Sequence, residues 1–273
     1  MDLQKYLART GYTGPVAPDF PTLCALHQAH LLAVPFENLD IHAGRKITVG
    51  AENAYRKIIG ERRGGFCYEQ NGLFGAILAE IGFGVTYLSG RVARSTGGWG
   101  PEFDHLALLV EIPEDGPYLA DVGFGENFRE PLRWNDTAPQ AQGNREYHLA
   151  EIPEGRLLAQ KLPGDEWHDL YILSVLPRSL ADFAGMAHYQ QTSPESFFIK
   201  NPLITRALPD GRITLTGTQF IVTRQGQRTE HTVDSPAAFF EKLEQEFGME
   251  LLPELRHTLE DRVWPDAGKT QNI

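Results

Sequence analysis

The sequence predicts an α+β protein laid out in three successive parts: a helical bundle, an antiparallel β-barrel or strongly curved sheet, and a smaller mixed region. Two observations lead there. Apolar residues recur at helical spacing through the N-terminal third, and from Val85 onward the pattern changes to short runs separated by Gly, Pro and Asp clusters. At 273 residues the chain can bury a sizeable core and exceeds the usual size of one compact domain. The changes of pattern divide it into residues 1–84, 85–177 and 178–273.

In the first part, Asp2 can cap a short helix through Leu3, Tyr6 and Leu7 that ends at Gly11. After a proline-rich connection, Leu23, Leu26, His27, His30 and Leu31 repeat as a second helix, stopped by Pro35. Residues 33–40 are too polar and proline-broken for a helix interior and read as an ordered loop carrying Phe36 towards an apolar surface. A third helix spans 51–59. Phe74, Ile77, Leu78 and Ile81 set a fourth, beginning at or just after Cys67 and ending near Gly82.

The second part offers strands at 85–94, 105–112, 118–123, 146–152, 156–162 and 167–173, with turn signals such as Thr96-Gly97-Gly98 and Pro153-Glu154-Gly155 between them. Strands this short and regularly spaced suggest a barrel or a curved sheet. In the third part a helical connection at 180–191 precedes a hairpin set at 204–208, 213–216 and 219–223. A last helix has Ser235 as cap, Pro236 in its first turn, Phe239, Phe240, Leu243 and Phe247 on one face, and Gly248 as stop.

Composition narrows the function. The formal net charge of −11 argues against a nucleic-acid partner, which needs clustered Lys and Arg, but not against a small anionic ligand held by a local positive pocket. No apolar run is long enough to cross a membrane and the first residues lack a signal-peptide pattern, so a cytoplasmic protein is expected. Two cysteines, Cys24 and Cys67, supply neither a disulfide framework nor a four-thiolate zinc site. His27 and His30, three apart on a helix, can present two imidazoles to a metal, yet no third ligand is near and they read as core histidines. Gly123-Phe124-Gly125 begins like a dinucleotide loop but Phe128 stands where the third glycine belongs.

The chemistry centres on Arg62-Arg63-Gly64-Gly65-Phe66-Cys67-Tyr68-Glu69-Gln70-Asn71-Gly72. A thiol at a helix N-terminus sits where unpaired amides and the positive dipole end favour a thiolate. The plainer reading is a small buried cysteine. His105 opens the apolar strand His-Leu-Ala-Leu-Leu-Val, and Asp121 lies in Tyr-Leu-Ala-Asp-Val-Gly, where an unpaired charge would be costly. A nucleophile, a base and an orienting carboxylate are thus available, unless His105 only marks a strand edge and Asp121 a turn. Register does not favour the trio: a tight hairpin through Glu114-Asp115-Gly116 leaves His105 and Asp121 on one face but four residues out of step, about 13 Å apart. A bulge or longer turn is needed to close that gap.

Four blocks together resemble the arylamine N-acetyltransferase family: Val34-Pro35-Phe36-Glu37-Asn38-Leu39, the run Arg63 to Phe74 around Cys67, His105-Leu106, and Asp121-Val122-Gly123-Phe124-Gly125. Their order and separations match the family's. The specific match covers mainly residues 26 to 125, and the last third resembles the family in length and element type. The resemblance implies a helical bundle, a β-barrel and an α/β lid around a triad like that of cysteine proteases, formed by Cys67, His105 and Asp121. It implies acetyl transfer from acetyl-CoA, with no metal, to a small aromatic amine or hydrazine, and O-acetylation of arylhydroxylamines, through an acetyl-Cys67 thioester. It maps Phe36, Phe66, Val92 and Phe124 onto the acceptor pocket, and Phe124 and Gly125 beside the acyl thioester and pantetheine arm.

Two positions depart from that pattern: Tyr68 where phenylalanine is expected, and Asp104 where a small hydroxyl residue is more usual. A carboxylate there can raise the pKa of His105 or repel cofactor phosphates. No basic phosphate clamp is identifiable in the sequence. Three rivals remain: an amide synthase acting on a larger acyl chain, a papain- or transglutaminase-like thiol hydrolase, and a non-catalytic binding module with an unreactive Cys67.

Overall fold

A computed structural model describes residues 1–263, so the last ten residues of the expected third part lie outside the described residues. Asp2 accepts the Lys5 amide hydrogen bond and starts α1 (Leu3–Thr10), which Gly11 ends in a left-handed conformation. Asp19 caps α2 (Phe20–Ala33) through the Thr22 amide, with Pro21 in the first turn, so the helix starts before its apolar repeat and stops short of Pro35.

The expected loop at 33–40 is corrected. It holds a two-residue strand, β1 (Phe36–Glu37), and the start of a short helix, α3 (Leu39–Ala43). Both are made by distant partners: β1 pairs with a strand near residue 205, and Leu39 and Ala43 pack into a C-terminal core, neither of which local pattern reveals. Next, α4 (Ala51–Tyr55) runs into a π-turn at Arg56–Gly60, and α5 (Cys67–Ile81) ends at Gly82.

An eight-stranded antiparallel sheet follows: β2 (Gly84–Val92), β3 (His105–Ile112), β4 (Gly116–Ala120), β5 (Leu132–Arg133), β6 (Gln140–Gln142), β7 (Arg145–Ile152), β8 (Gly155–Lys161) and β9 (His168–Leu173), in the order β5-β4-β3-β2-β9-β8-β7-β6. It closes nearly into a barrel through two glutamines on β6. Gln140 accepts from the Arg133 amide and donates to its carbonyl, and Gln142 does the same with the Arg129 amide and the Glu130 carbonyl. A side-chain amide carries the donor and acceptor of a peptide group, so two side chains stand in for the missing ladder and cover the sheet edges. β5 and β6 are too short to show a repeat in the sequence.

β3 is buried on both faces. Leu106, Leu108 and Val110 pack against Leu73, Phe74, Ile77 and Leu78 of α5, while Ala107 joins Leu88, Leu119, Tyr171 and Leu173 inside the barrel. That explains its unbroken apolar run and fixes α5 against the barrel wall.

In the C-terminal stretch a 3-10 turn at Leu180–Phe183 enters α6 (Ala184–Thr192). A second sheet, ordered β1-β10-β11-β12-β13, comprises β10 (Leu203–Leu208), β11 (Gly211–Thr216), β12 (Gln219–Arg224) and β13 (Gln227–Thr232). α7 (Pro236–Phe247) and α8 (Pro253–Val263) cover it, burying Ile204, Ile213, Leu215 and Phe220 against Phe239, Leu243, Leu255 and Leu259. Every residue of β13 is exposed and α8 buries only Leu255 and Leu259, so neither carries a legible apolar repeat.

Five buried charges tie the Phe36 segment to the cysteine loop. Arg63 bonds Glu37 at 2.7 Å and Asp40 at 2.5 Å, and Lys57 lies 3.0–3.3 Å from Glu37, Asp40 and Glu69. All five residues are 6% exposed or less. Burial pushes the Glu69 carboxyl up to about 6 against the pull of Lys57. Removing one member leaves an uncompensated charge in the interior, so Arg63→Met should lower unfolding free energy by about 3–5 kcal/mol in urea titrations. A midpoint unchanged from the parent protein would show that the network contributes nothing net.

Candidate active site

Cys67 occupies the first position of α5 and is 4% exposed. Phe66 precedes it in extended conformation, its amide held by Glu69 Oε2 at 3.2 Å. The loop before it lies flat on the Phe36 segment: Gly65 donates to the Pro35 carbonyl and accepts from the Glu37 amide. Gly64 permits this contact, since a Cβ there would fall 1.9 Å from the Pro35 oxygen. From the other side, Gly123 crosses the helix start so closely that a Cβ would sit 2.8 Å from the Cys67 Cα.

His105 and Asp121 do meet, with Nε2 of the ring 2.8 Å from Oδ2 of the carboxylate. The expected four-residue mismatch is corrected in two ways. The β3–β4 turn pairs Ile112 with Gly116, which centres the hairpin one residue earlier than Asp115 and halves the offset. In addition β4 ends at Ala120 rather than running through Asp121, so Asp121 leaves the ladder in a turn in which its Oδ1 accepts the Gly123 amide at 2.9 Å.

Among the described residues, five donors converge on Asp121, which is fully buried. His105, Asn127 Nδ2 and the Tyr171 hydroxyl reach Oδ2 at 2.8, 3.0 and 2.9 Å, while Asn71 Nδ2 and the Gly123 amide reach Oδ1 at 2.8 and 2.9 Å. Its own amide donates to His27 Nε2 at 3.1 Å, and His27 Nδ1 donates to the Arg129 carbonyl. A buried ion costs several kcal/mol, against roughly 1.5–3 kcal/mol for each hydrogen bond to a charged group, so this shell keeps Asp121 ionised. Burial pushes its pKa up, but the His105 charge and these bonds hold it below the usual carboxylate value.

Burial alone would lower the His105 pKa. The Asp121 charge and hydrogen bond, with a further hydrogen bond to the Cys67 side chain, outweigh it and push the imidazole up to about 10. The ring is walled by Phe124 and Tyr171, with centroids at 5.2 and 5.1 Å. Thus Cys67, His105 and Asp121 are brought together as one chain of contacts.

Of the other expected site residues, Phe36 and Phe66 both pack against Phe198, at 5.9 and 6.3 Å. Phe124 stacks edge-on to Tyr171 at 5.0 Å, and Val92 pairs with Tyr171 across β2 and β9. Gly125 follows with a left-handed φ of 89°. A cavity of about 240 Å³ lies elsewhere, along Ser89, Arg91, Ile172 and Arg178, and includes none of these residues. His27 and His30 are core histidines. His30 bonds the Tyr6 hydroxyl and Gln70, and burial lowers the two rings to about 4 and about 3.

The two departures meet each other. The Tyr68 hydroxyl donates to the Phe103 and Asp104 carbonyls at 2.7 and 3.2 Å, bracing the chain just before His105. Gln190 Nε2 bonds Asp104 Oδ1 at 2.7 Å, and burial raises that carboxyl while His105 draws it back. No pattern in the sequence marks Asn127, Tyr171 or Gln190 for this site. Asn71 alone had a signal: four residues after Cys67, it must share the helix face that Cys67 presents.

The pKa of His105 gives a pH test. Its folded value exceeds the 6.5 of a free histidine, so the pair's contribution to stability is complete below pH 6.5 and is lost as pH rises through about 10. NMR of the imidazole nitrogens should find His105 protonated at pH 8, and Asp121→Asn should bring its titration down. A His105 that loses its proton near 6.5 in the parent protein would refute the pairing.

The family model described as N-acetyltransferase matches residues 19–256. An arylamine N-acetyltransferase of Mycolicibacterium smegmatis is 37% identical over 256 residues, covering 92% of this chain and 93% of its own. The Salmonella typhimurium arylamine N-acetyltransferase / N-hydroxyarylamine O-acetyltransferase is 34% identical, covering 90% and 88%. The structure of the Mycobacterium marinum arylamine N-acetyltransferase in complex with CoA superposes with a TM-score of 0.87 at 33% identity, over 96% of this chain and 98% of that one. With a family model matching most of its length and relatives alike in both sequence and fold, this chain belongs to the arylamine N-acetyltransferase family.

Proposed function

We propose that the protein transfers acetyl from acetyl-CoA to aromatic amines and hydrazines by a ping-pong reaction through acetyl-Cys67. The observation that carries this reading is the buried His105–Asp121 pair, bonded at 2.8 Å and interacting with the Cys67 thiol at a helix start, which pushes the imidazole up to about 10. At neutral pH such an imidazole is a cation beside the sulfur, the arrangement that makes a thiol nucleophilic. The Salmonella relative's O-acetyltransferase name supports O-acetylation of arylhydroxylamines by the same intermediate.

Cys67 as thiolate attacks the acetyl carbonyl of the thioester. CoA leaves with the proton that the His105 imidazolium supplies, and the acetyl group stays on sulfur. The amine nitrogen then attacks the acetyl-cysteine carbonyl, its proton passes to His105, and the Cys67 thiolate departs. Asp121 holds the ring's orientation and stabilises its charged form. Phe36, Phe66, Val92 and Phe124 form the apolar face on which a flat acceptor stacks, and Phe124 with Gly125 flanks the pantetheine arm. We assign residues 1–84 to the bundle that carries the nucleophile, 85–177 to the barrel that carries His105 and Asp121, and the stretch from 178 to an α/β lid. No helix among the described residues is long and apolar enough to cross a membrane, in keeping with the cytoplasmic location we propose.

Acetyl-CoA alone should add one acetyl group to Cys67, seen by intact mass, and an arylhydrazine should remove it. A folded protein that takes no acetyl group would sink the reading, and cleavage of a peptide without any acyl donor would favour a hydrolase. Cys67→Ala should abolish turnover and keep the fold by circular dichroism, while Cys24→Ala keeps both. Asp121→Asn should reduce kcat on the order of 10⁴-fold, as when a buried orienting carboxylate is neutralised beside a catalytic imidazole; a loss under tenfold would assign the orienting role elsewhere.

A further inference from the structure

Immediately beyond the Phe124–Gly125 loop, three arginines from different elements lie within electrostatic reach of one carboxylate, and one of them bonds it directly. Arg129 follows the loop, Arg145 opens β7 and Arg212 lies on β11, and all three interact electrostatically with Glu126. Arg145 Nη2 bonds Glu126, and its Nη1 reaches Gln160 at 3.3 Å. Arg129 Nη2 donates to the Leu208 and Gly211 carbonyls at 3.2 and 2.6 Å, and Arg212 Nη1 to the Thr205 hydroxyl at 2.8 Å. Among the described residues, Arg129 Nη1 and Arg212 Nε are buried with no acceptor.

Three guanidinium groups against one carboxylate leave an excess of two positive charges, in a chain whose formal net charge is −11. Like charges packed together with idle donors are unfavourable on their own: burial and the neighbouring Arg129 and Arg145 together bring Arg212 down to about 10, although Glu126 opposes this. An acceptor-rich anion would relieve both the repulsion and the idle donors. The cluster also opens to water, since Glu126 and Arg145 are 53% and 24% exposed in their side chains. A local positive site of this kind is what an acidic protein needs to attract an anionic substrate.

We infer that Arg129, Arg145 and Arg212 seat a phosphate group of the acyl donor, the chemistry that distinguishes CoA from bare pantetheine. This rests on the acetyl-CoA reading and adds the clamp that no basic run in the sequence betrays. The arginines are far apart in the chain and converge only where β7, β11 and the 124–129 segment meet.

Calorimetric titration of the full chain with CoA, dephospho-CoA and pantetheine tests the assignment. The parent protein should bind CoA at least about tenfold more tightly than pantetheine, the scale of one charge-assisted hydrogen bond or more. Arg145→Gln and Arg212→Gln should each erase most of that preference, and Arg145→Lys should restore part of it. A loss confined to CoA places the 3′-phosphate at the cluster, and a loss shared by dephospho-CoA places the pyrophosphate there. Equal weakening for all three ligands, or none for CoA, would overturn the site. Binding is read without turnover, so a Cys67 that takes no acetyl group would refute the acetyl-transfer reading and leave a phosphate preference standing.

Discussion

The structure depends on keeping one carboxylate charged in a place that water does not reach. Asp121 is reached by α5 through Asn71, by β3 through His105, by β9 through Tyr171 and by its own loop through Gly123 and Asn127. Its amide is held by His27 of α2. Each of these groups must stand within hydrogen-bond distance at once, so the helical bundle and the barrel have little freedom to shift against each other. By keeping Asp121 charged, the same shell raises the proton affinity of His105.

A second buried charge cluster does for the Phe36 segment what Asp121 does for the barrel. Arg63 and Lys57 bind Glu37, Asp40 and Glu69, and so join β1, α3, the π-turn and the cap of α5. Because Glu69 also holds the Phe66 amide, the position of the cysteine at the helix start is coupled to the position of Phe36. β1 in turn edges the C-terminal sheet, opposite Thr205. Thr205 is also the partner of Arg212, so the Phe36 segment and the arginine cluster share one strand pair.

Cys67 was legible because helix periodicity and two glycines are local signals, and His105 and Asp121 because a polar residue in an apolar run needs a partner. Their contact was not legible. It turned on where the β3–β4 turn is centred, and a shift of one residue there moves the pairing by two. The donors around Asp121 were equally hidden, since Asn127 and Tyr171 are ordinary residues until the barrel closes over them. β13 escaped notice because a fully exposed strand has no apolar face to repeat, and β1 because two residues cannot show a period.

The sequence by itself determined the succession of a helical part and a stranded part, the cysteine at the head of α5, and the family resemblance that the cysteine block carries. Those features follow from residues close together in the chain, where spacing and turn chemistry act directly. Only the tertiary structure decided how the imidazole reaches the carboxylate, how two glutamines nearly close the barrel, and how three arginines come within electrostatic reach of Glu126. Each of these depends on groups separated by many residues, and whether they meet is set by strand register and packing rather than by any local pattern.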